Sequence, residues 1–192
     1  HNVQNALAAT AAALAAGADP LEFRLRHMQD ARARAVIEAV AQKAGWKASA
    51  KGDGTRGRGF AFAKYKNLAA YVAMAVDVEI ERTSGKVHVR RAYAAVDAGM
   101  IGNPDGVKNQ IEGGIVQSTS WTLKEQLRYD GRKVLTRSWS DYPILTFPEV
   151  RAVEVVLLDR PDEESLGNGE GSPGPTVAGI ASALANAGGR RV

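Results

Sequence analysis

The spacing of apolar residues changes near residue 46, and that change decides the fold class. Before it the pattern is helical. Val3 to Ala16 is dominated by alanine, Gly17 ends it, and Asp19-Pro20 supplies an N-cap with proline at the first helical position of Leu21 to Met28. Asp30 caps a third stretch, Ala31 to Lys43, in which Ala35, Val36, Ala39 and Val40 form the expected buried stripe. After it the period becomes two. Lys47 to Arg58 is a loop of Gly, Lys, Arg and Asp, followed by strand patterns at Phe60 and Phe62, Ala70 to Arg82 and Val87 to Val96. Thr83-Ser84-Gly85-Lys86 joins the last two as an antiparallel hairpin.

Asn103-Pro104 then opens a helix reaching about Leu127, with Val107, Ile111, Ile115 and Leu123 on one face and Gly113 and Gly114 permitting close packing. A strand pair is expected around Asp130-Gly131, and a further strand over Val150 to Leu158. The pattern predicts an α+β chain, with helices packed on mixed or antiparallel sheets. Residues 1–46 form a helical segment and 47–192 the α+β portion.

Composition removes several functions. The 192 residues are 45% apolar, enough for a core, and no apolar run approaches the ~18 residues of a membrane-spanning helix. The 25 basic and 21 acidic residues are interleaved, which argues against a dedicated nucleic-acid surface. Without cysteine there are no disulfides, thiolate metal sites or cysteine nucleophiles, and the compartment stays open. The three histidines, His1, His27 and His88, are too scattered for a zinc site, so no metal ligand is assigned. A first residue His1, already inside a helical pattern, suggests a piece of a longer polypeptide.

Chemistry concentrates in Leu166 to Thr176, Leu-Gly-Asn-Gly-Glu-Gly-Ser-Pro-Gly-Pro-Thr, where one carboxylate, Glu170, stands among residues with almost no side chains. Glycine permits close approach of the backbone at an entropic cost that packing alone does not explain. Pro173 and Pro175 stiffen the segment, and Val177, Ile180, Ala181 and Leu184 recur at helical spacing just beyond. The acid is therefore expected at a helix entrance, fixed rather than tethered.

Two other motifs compete. Gly52-Asp-Gly-Thr-Arg-Gly57 has the letters of a dinucleotide fingerprint, but a strand follows it where a helix is needed. Arg58-Gly-Phe-Ala-Phe-Ala-Lys-Tyr65 is similar to the aromatic strand of a single-stranded RNA-binding module, with Phe60, Phe62 and Tyr65 as stacking rings. Alternating aromatics are also ordinary core residues of a sheet.

A third constellation runs along most of the chain. In order it comprises Asp19-Pro-Leu-Glu-Phe-Arg-Leu-Arg26, Gly57-Arg-Gly-Phe-Ala-Phe62, Asp97-Ala-Gly-Met-Ile-Gly-Asn-Pro104, Asn109-Gln-Ile-Glu-Gly-Gly-Ile-Val-Gln117, Tyr142-Pro143 and Gly167-Asn-Gly-Glu-Gly-Ser-Pro-Gly-Pro175. Together these resemble the carboxyl-terminal part of the molybdopterin-binding large subunit of the xanthine oxidase and aldehyde oxidase family, in particular the isoquinoline 1-oxidoreductase beta-subunit type.

The resemblance implies a molybdenum–molybdopterin cofactor and oxidative hydroxylation of an N-heterocycle or aldehyde with water-derived oxygen. The family's Gly-X-Gly-Glu acid, its general base, maps onto Glu170, and the adjacent Gly169 is expected at the cofactor. The family's cofactor-binding Gln maps onto Gln110, while Glu112 and Gln117 receive no role. The family's remaining cofactor loops would lie upstream of His1, so the cofactor would be completed by an upstream or partner chain and this chain alone would be inactive. Expected partners are the remainder of the large subunit, an iron–sulfur electron-transfer subunit and a small-molecule substrate, with no nucleic acid and no membrane span.

Overall fold

The computed structural model describes residues 8, 11–13, 15–48 and 51–188. Most of the first expected helix, Val3 to Ala16, lies outside them; residues 8, 11–13 and 15 are helical. Both aspartate caps form. Asp19 Oδ1 accepts from the N–H of Leu21 at 3.0 Å and of Glu22 at 3.1 Å, opening helix α1 (Pro20–His27). Asp30 Oδ1 does the same for Arg32 and Ala33 at 2.9 and 3.2 Å, opening α2 (Ala31–Ala44), which left-handed Gly45 closes. The buried face of α2 is Ala33, Val36, Ile37, Val40 and Ala44, whereas Ala35 and Ala39 are half-buried. The stripe is rotated from the expected one, because Ile37 has more apolar surface to hide than either alanine.

Strands β1 (Arg56–Lys64), β2 (Tyr71–Ile80), β3 (Val87–Asp97) and β4 (Ala152–Leu157) make one sheet in that order. The first three are antiparallel and β4 runs parallel to β3, giving a mixed sheet. Helices cover both faces. Val72, Met74, Val76 and Val78 meet Ile111 and Ile115 of α3 (Pro104–Leu123) and Ile180 and Ala183 of α4 (Pro173–Gly188). On the opposite face Phe60, Tyr71, Ala73, Ala75 and Tyr93 pack against Val36, Ile37 and Val40 of α2. Coverage on both sides explains why β2 is buried from Tyr71 through Val76 instead of alternating.

Glycines set the spacing of one layer. A Cβ at Gly57 or Gly59 would overlap the carbonyl oxygen of Ala183 or Gly179, so these glycines let α4 lie directly on β1. The dinucleotide-like letters thus belong to helix–sheet packing. Phe60 is 1% exposed on the other side of β1, with Trp46 edge-on at 5.9 Å between ring centroids and the Arg24 guanidinium 5.6 Å from its centroid. Phe62 joins the same apolar cluster. The RNA-binding reading of Phe60, Phe62 and Tyr65 thus loses its first ring, because Phe60 is enclosed by its own core and has no face left for a base, and it finds no support.

Several boundaries differ from expectation. β1 begins at Arg56, inside the expected loop, because its pairing with Glu79 of β2 extends the ladder. α3 ends at Leu123, not near Leu127, after a turn in which Ser118, Thr119 and Thr122 hydroxyls bond back to carbonyls four residues earlier. Gly131 does turn at φ 87°, but the flanking residues make a single bridge, Tyr129 to Val134, instead of a strand pair. They have no larger sheet to join. Along this irregular arm Tyr129, Trp139 and Phe147 are exposed. Finally α4 starts at Pro173, earlier than Thr176. Among the described residues no helix is long and apolar enough to cross a membrane.

Candidate functional site

The segment before α4 is pinned on three sides. Just past β3, the Ala98 carbonyl accepts from Leu166 N–H at 2.8 Å; from the β1–β2 turn, Ala70 N–H donates to the Gly167 carbonyl at 3.1 Å. From α3, Gln110 Nε2 donates to the Gly169 carbonyl at 2.7 Å, and the Ile111 carbonyl accepts from the buried Ser172 hydroxyl at 3.2 Å. Gly114 makes that last approach possible, since a Cβ there would overlap Ser172 Oγ. Gly113, by contrast, faces open space and has no packing role in this chain. The Ser172 carbonyl also accepts from Thr176 N–H at 3.0 Å, which starts α4. The residues singled out in the sequence, Glu170, Gly169 and Gln110, thus stand together at one end of the sheet.

Glu170 is held by one side chain. Tyr65 Oη donates to Glu170 Oε2 at 3.1 Å, and among the described residues no other donor reaches the carboxylate. The acid is exposed: it lies on the outer side of the loop, where none of the described residues covers it. Beside it, both amide atoms of Asn168 are shielded from solvent and lack a hydrogen-bond partner. A buried amide with nothing to bond is a standing cost that a ligand or neighbouring chain can remove.

Next to this loop is a second polar cluster that sequence reasoning missed. Asp97, at the end of β3, is fully buried and accepts from Arg32 Nε and Arg160 Nε at 3.1 Å each and from Gly99 N–H at 3.0 Å; Arg32 Nη2 completes a forked pair. Burial pushes the Asp97 carboxyl up, but the Arg32 pair, the Gly99 N–H and Arg160 together outweigh it and hold it below the ordinary carboxylate range. Asp30, the α2 cap, also accepts from Tyr71 Oη at 2.9 Å, and Tyr71 accepts from Lys64 Nζ at 2.7 Å. Arg32 and Arg160 stand 65 and 63 residues from Asp97, so nothing local signals this cluster.

The residues fit an organic cofactor read by amides. No group of three or more His, Asp or Glu among the described residues could hold a metal ion directly. What the loop offers is the Gln110 amide oxygen and its second N–H, the unpartnered Asn168 amide, and open backbone at Gly167 and Gly169, where a Cβ would meet nothing.

Comparison with known proteins agrees. Residues 1–151 match the model of the molybdopterin cofactor-binding domain. The chain belongs to this family. The molybdopterin-binding chain is 43% identical to the B subunit of nicotinate dehydrogenase from Pseudomonas putida, with 93% of this chain and 16% of that protein covered. It is 37% identical to the beta subunit of isoquinoline 1-oxidoreductase from Brevundimonas diminuta, over 74% of this chain and 18% of the relative. Quinoline 2-oxidoreductase from Pseudomonas putida 86 superposes with a TM-score of 0.58 at 30% identity, covering 62% of this chain and 16% of that one. The molybdopterin-binding chain therefore spans less than a fifth of the length of these relatives, and its cofactor class is molybdenum–molybdopterin.

Proposed function

We propose that the protein is the C-terminal portion of a molybdenum hydroxylase that oxidises a C–H bond of an N-heterocycle or aldehyde to C–OH, with Glu170 as general base. The relatives named for nicotinate, isoquinoline and quinoline favour the N-heterocycle. Substrate and water go to hydroxylated product, two protons and two electrons; the molybdenum cofactor, when bound, accepts the electron pair. Glu170 removes the proton of the water-derived hydroxyl as that oxygen bonds to an electron-poor carbon. The carboxylate oxygen that Tyr65 leaves free is the atom available for it. Gln110, Gly169 and Asn168 would hold the cofactor through amide and backbone hydrogen bonds.

The remainder of the large subunit would supply the other cofactor contacts and cover Glu170 from water. An iron–sulfur subunit would take the electrons onward, because this chain has no cysteine to hold such a cluster. Isolated, the chain would be inactive. The observation that carries this reading is the convergence of Gln110 on Gly169, beside the only carboxylate of the loop. Its test is Glu170→Gln in the complete large subunit: turnover is expected to fall at least ~100-fold with molybdenum content unchanged. Near-wild-type turnover with molybdenum bound would refute it.

A further inference from the structure

We infer that Tyr65 is a positioning residue for Glu170, and that the turn after β1 is shaped to deliver its hydroxyl. This rests on the reading of Glu170 as general base. The turn Tyr65–Asn67 contains the two non-glycine residues with positive φ among the described residues, Lys66 at 51° and Asn67 at 63°. Side chains rarely adopt that backbone, and two in succession persist only where surrounding bonds enforce them.

Here they do. Tyr65 N–H donates to the Ala70 carbonyl at 2.8 Å, and the Tyr65 carbonyl accepts from Ala69 and Leu68 N–H at 2.9 and 3.2 Å. The turn therefore closes on Tyr65 itself and fixes the start of its side chain. Ala70 N–H then clips the same turn to Gly167, so that the donor and the acid share one rigid frame. Within that frame Tyr65 Oη reaches Glu170 Oε2 at 3.1 Å.

A phenol at this place does what a cation would not. It binds one carboxylate oxygen with a single directed hydrogen bond and leaves the other free to take a proton. It also restrains an otherwise exposed glutamate whose rotamers would spread the reactive oxygen over many positions. The charged groups on elements packed around the pair are Lys64 at the end of β1, Lys66 in the turn after it and the Lys108–Glu112 pair on α3. Each has a partner other than Glu170: Lys64 is on the Tyr71 hydroxyl, Lys66 lies 5.3 Å from the Tyr65 ring centroid, and Lys108 Nζ is 3.9 Å from Glu112.

The experiment is Tyr65→Phe, alone and combined with Glu170→Gln, in the complete cofactor-loaded enzyme. Phenylalanine keeps the ring and removes only the donor. The single variant is expected to lower kcat by between ~10- and ~100-fold, with KM and molybdenum content unchanged, and to have no further effect in the Glu170→Gln background. In crystals of Tyr65→Phe, the Glu170 carboxylate is expected to leave its present rotamer. Unchanged kcat and an unmoved carboxylate would overturn the positioning role while leaving the general base intact, provided Glu170→Gln is inactive. Loss of molybdenum in Tyr65→Phe would also overturn it, by making the tyrosine a cofactor-site residue. Full turnover by Glu170→Gln would remove the general base and this inference with it.

Discussion

Asp97 and Glu170 are two acids at the same end of the sheet in opposite conditions. Asp97 is fully buried and takes hydrogen bonds from Arg32, Arg160 and Gly99, so both of its oxygens are occupied. Glu170 is exposed and takes one, from Tyr65. Burial and a displaced pKa are often read as signs of reactivity, yet here they belong to the acid that holds the structure together. A group that must accept a proton needs a free oxygen, and only Glu170 keeps one.

The two are linked mechanically. Asp97 anchors the strand end along which the next segment is bonded: Arg160 N–H to the Gly99 carbonyl at 3.2 Å, Met100 N–H to that of Glu163 at 3.2 Å, and Leu166 N–H to that of Ala98 at 2.8 Å. That segment delivers the Glu170 loop. Gly99, at φ 70°, is needed there because a Cβ would overlap the Glu164 carbonyl.

The contrast can be broken most severely at Asp97. Asp97→Ala strands the partly buried Arg32 guanidinium and should destabilise the protein by about 3–5 kcal/mol, measured by denaturant unfolding. Glu170→Gln should stay within about 0.5 kcal/mol of wild type in the same assay. An equal loss in both variants would erase the distinction. Next in size, Gly59→Val should cost about 1–3 kcal/mol or more, because the new side chain meets the Gly179 backbone, which has no rotamer to yield.

The pH dependence sharpens the comparison. The folded-state pKa of Asp97 is depressed, so its contribution to stability is complete above the ordinary carboxylate value near about 4. It is lost as pH falls through the lower, folded value. Thermal unfolding followed below about pH 4 should therefore show a component that is absent in Asp97→Asn. A variant with the same acid slope as wild type would show that Asp97 is not its source. The smallest effect is expected for Tyr65→Phe, whose melting temperature should match wild type even though its kcat falls, since the lost bond is exposed.

The aspartate helix caps, the turn at Gly85 and the alternating strands were legible because the groups that decide them lie within a few residues of each other. The carboxylate of the glycine-rich loop was legible for a related reason: it is the only acid there. The meeting of Gln110 with Gly169 came from a resemblance, since 59 residues separate them. Other features left no sequence trace. The face of α2 was misjudged because alanine and isoleucine share its helical pattern, and only contact with the sheet ranks them. The arm around Gly131 had turn chemistry but no sheet for its flanks to join.

What the sequence determined by itself is therefore most of the elements, the α+β class and the identity of the one acid presented on a bare backbone. Tertiary structure decided which residues that acid would meet. Tyr65 lies 105 residues from Glu170, and Arg32 and Arg160 are as distant from any local signal of their shared partner Asp97. Hydrogen bonds between side chains of different elements depend on a few ångströms of placement, and that placement is set by how helices and sheet pack, which no short stretch of chain encodes.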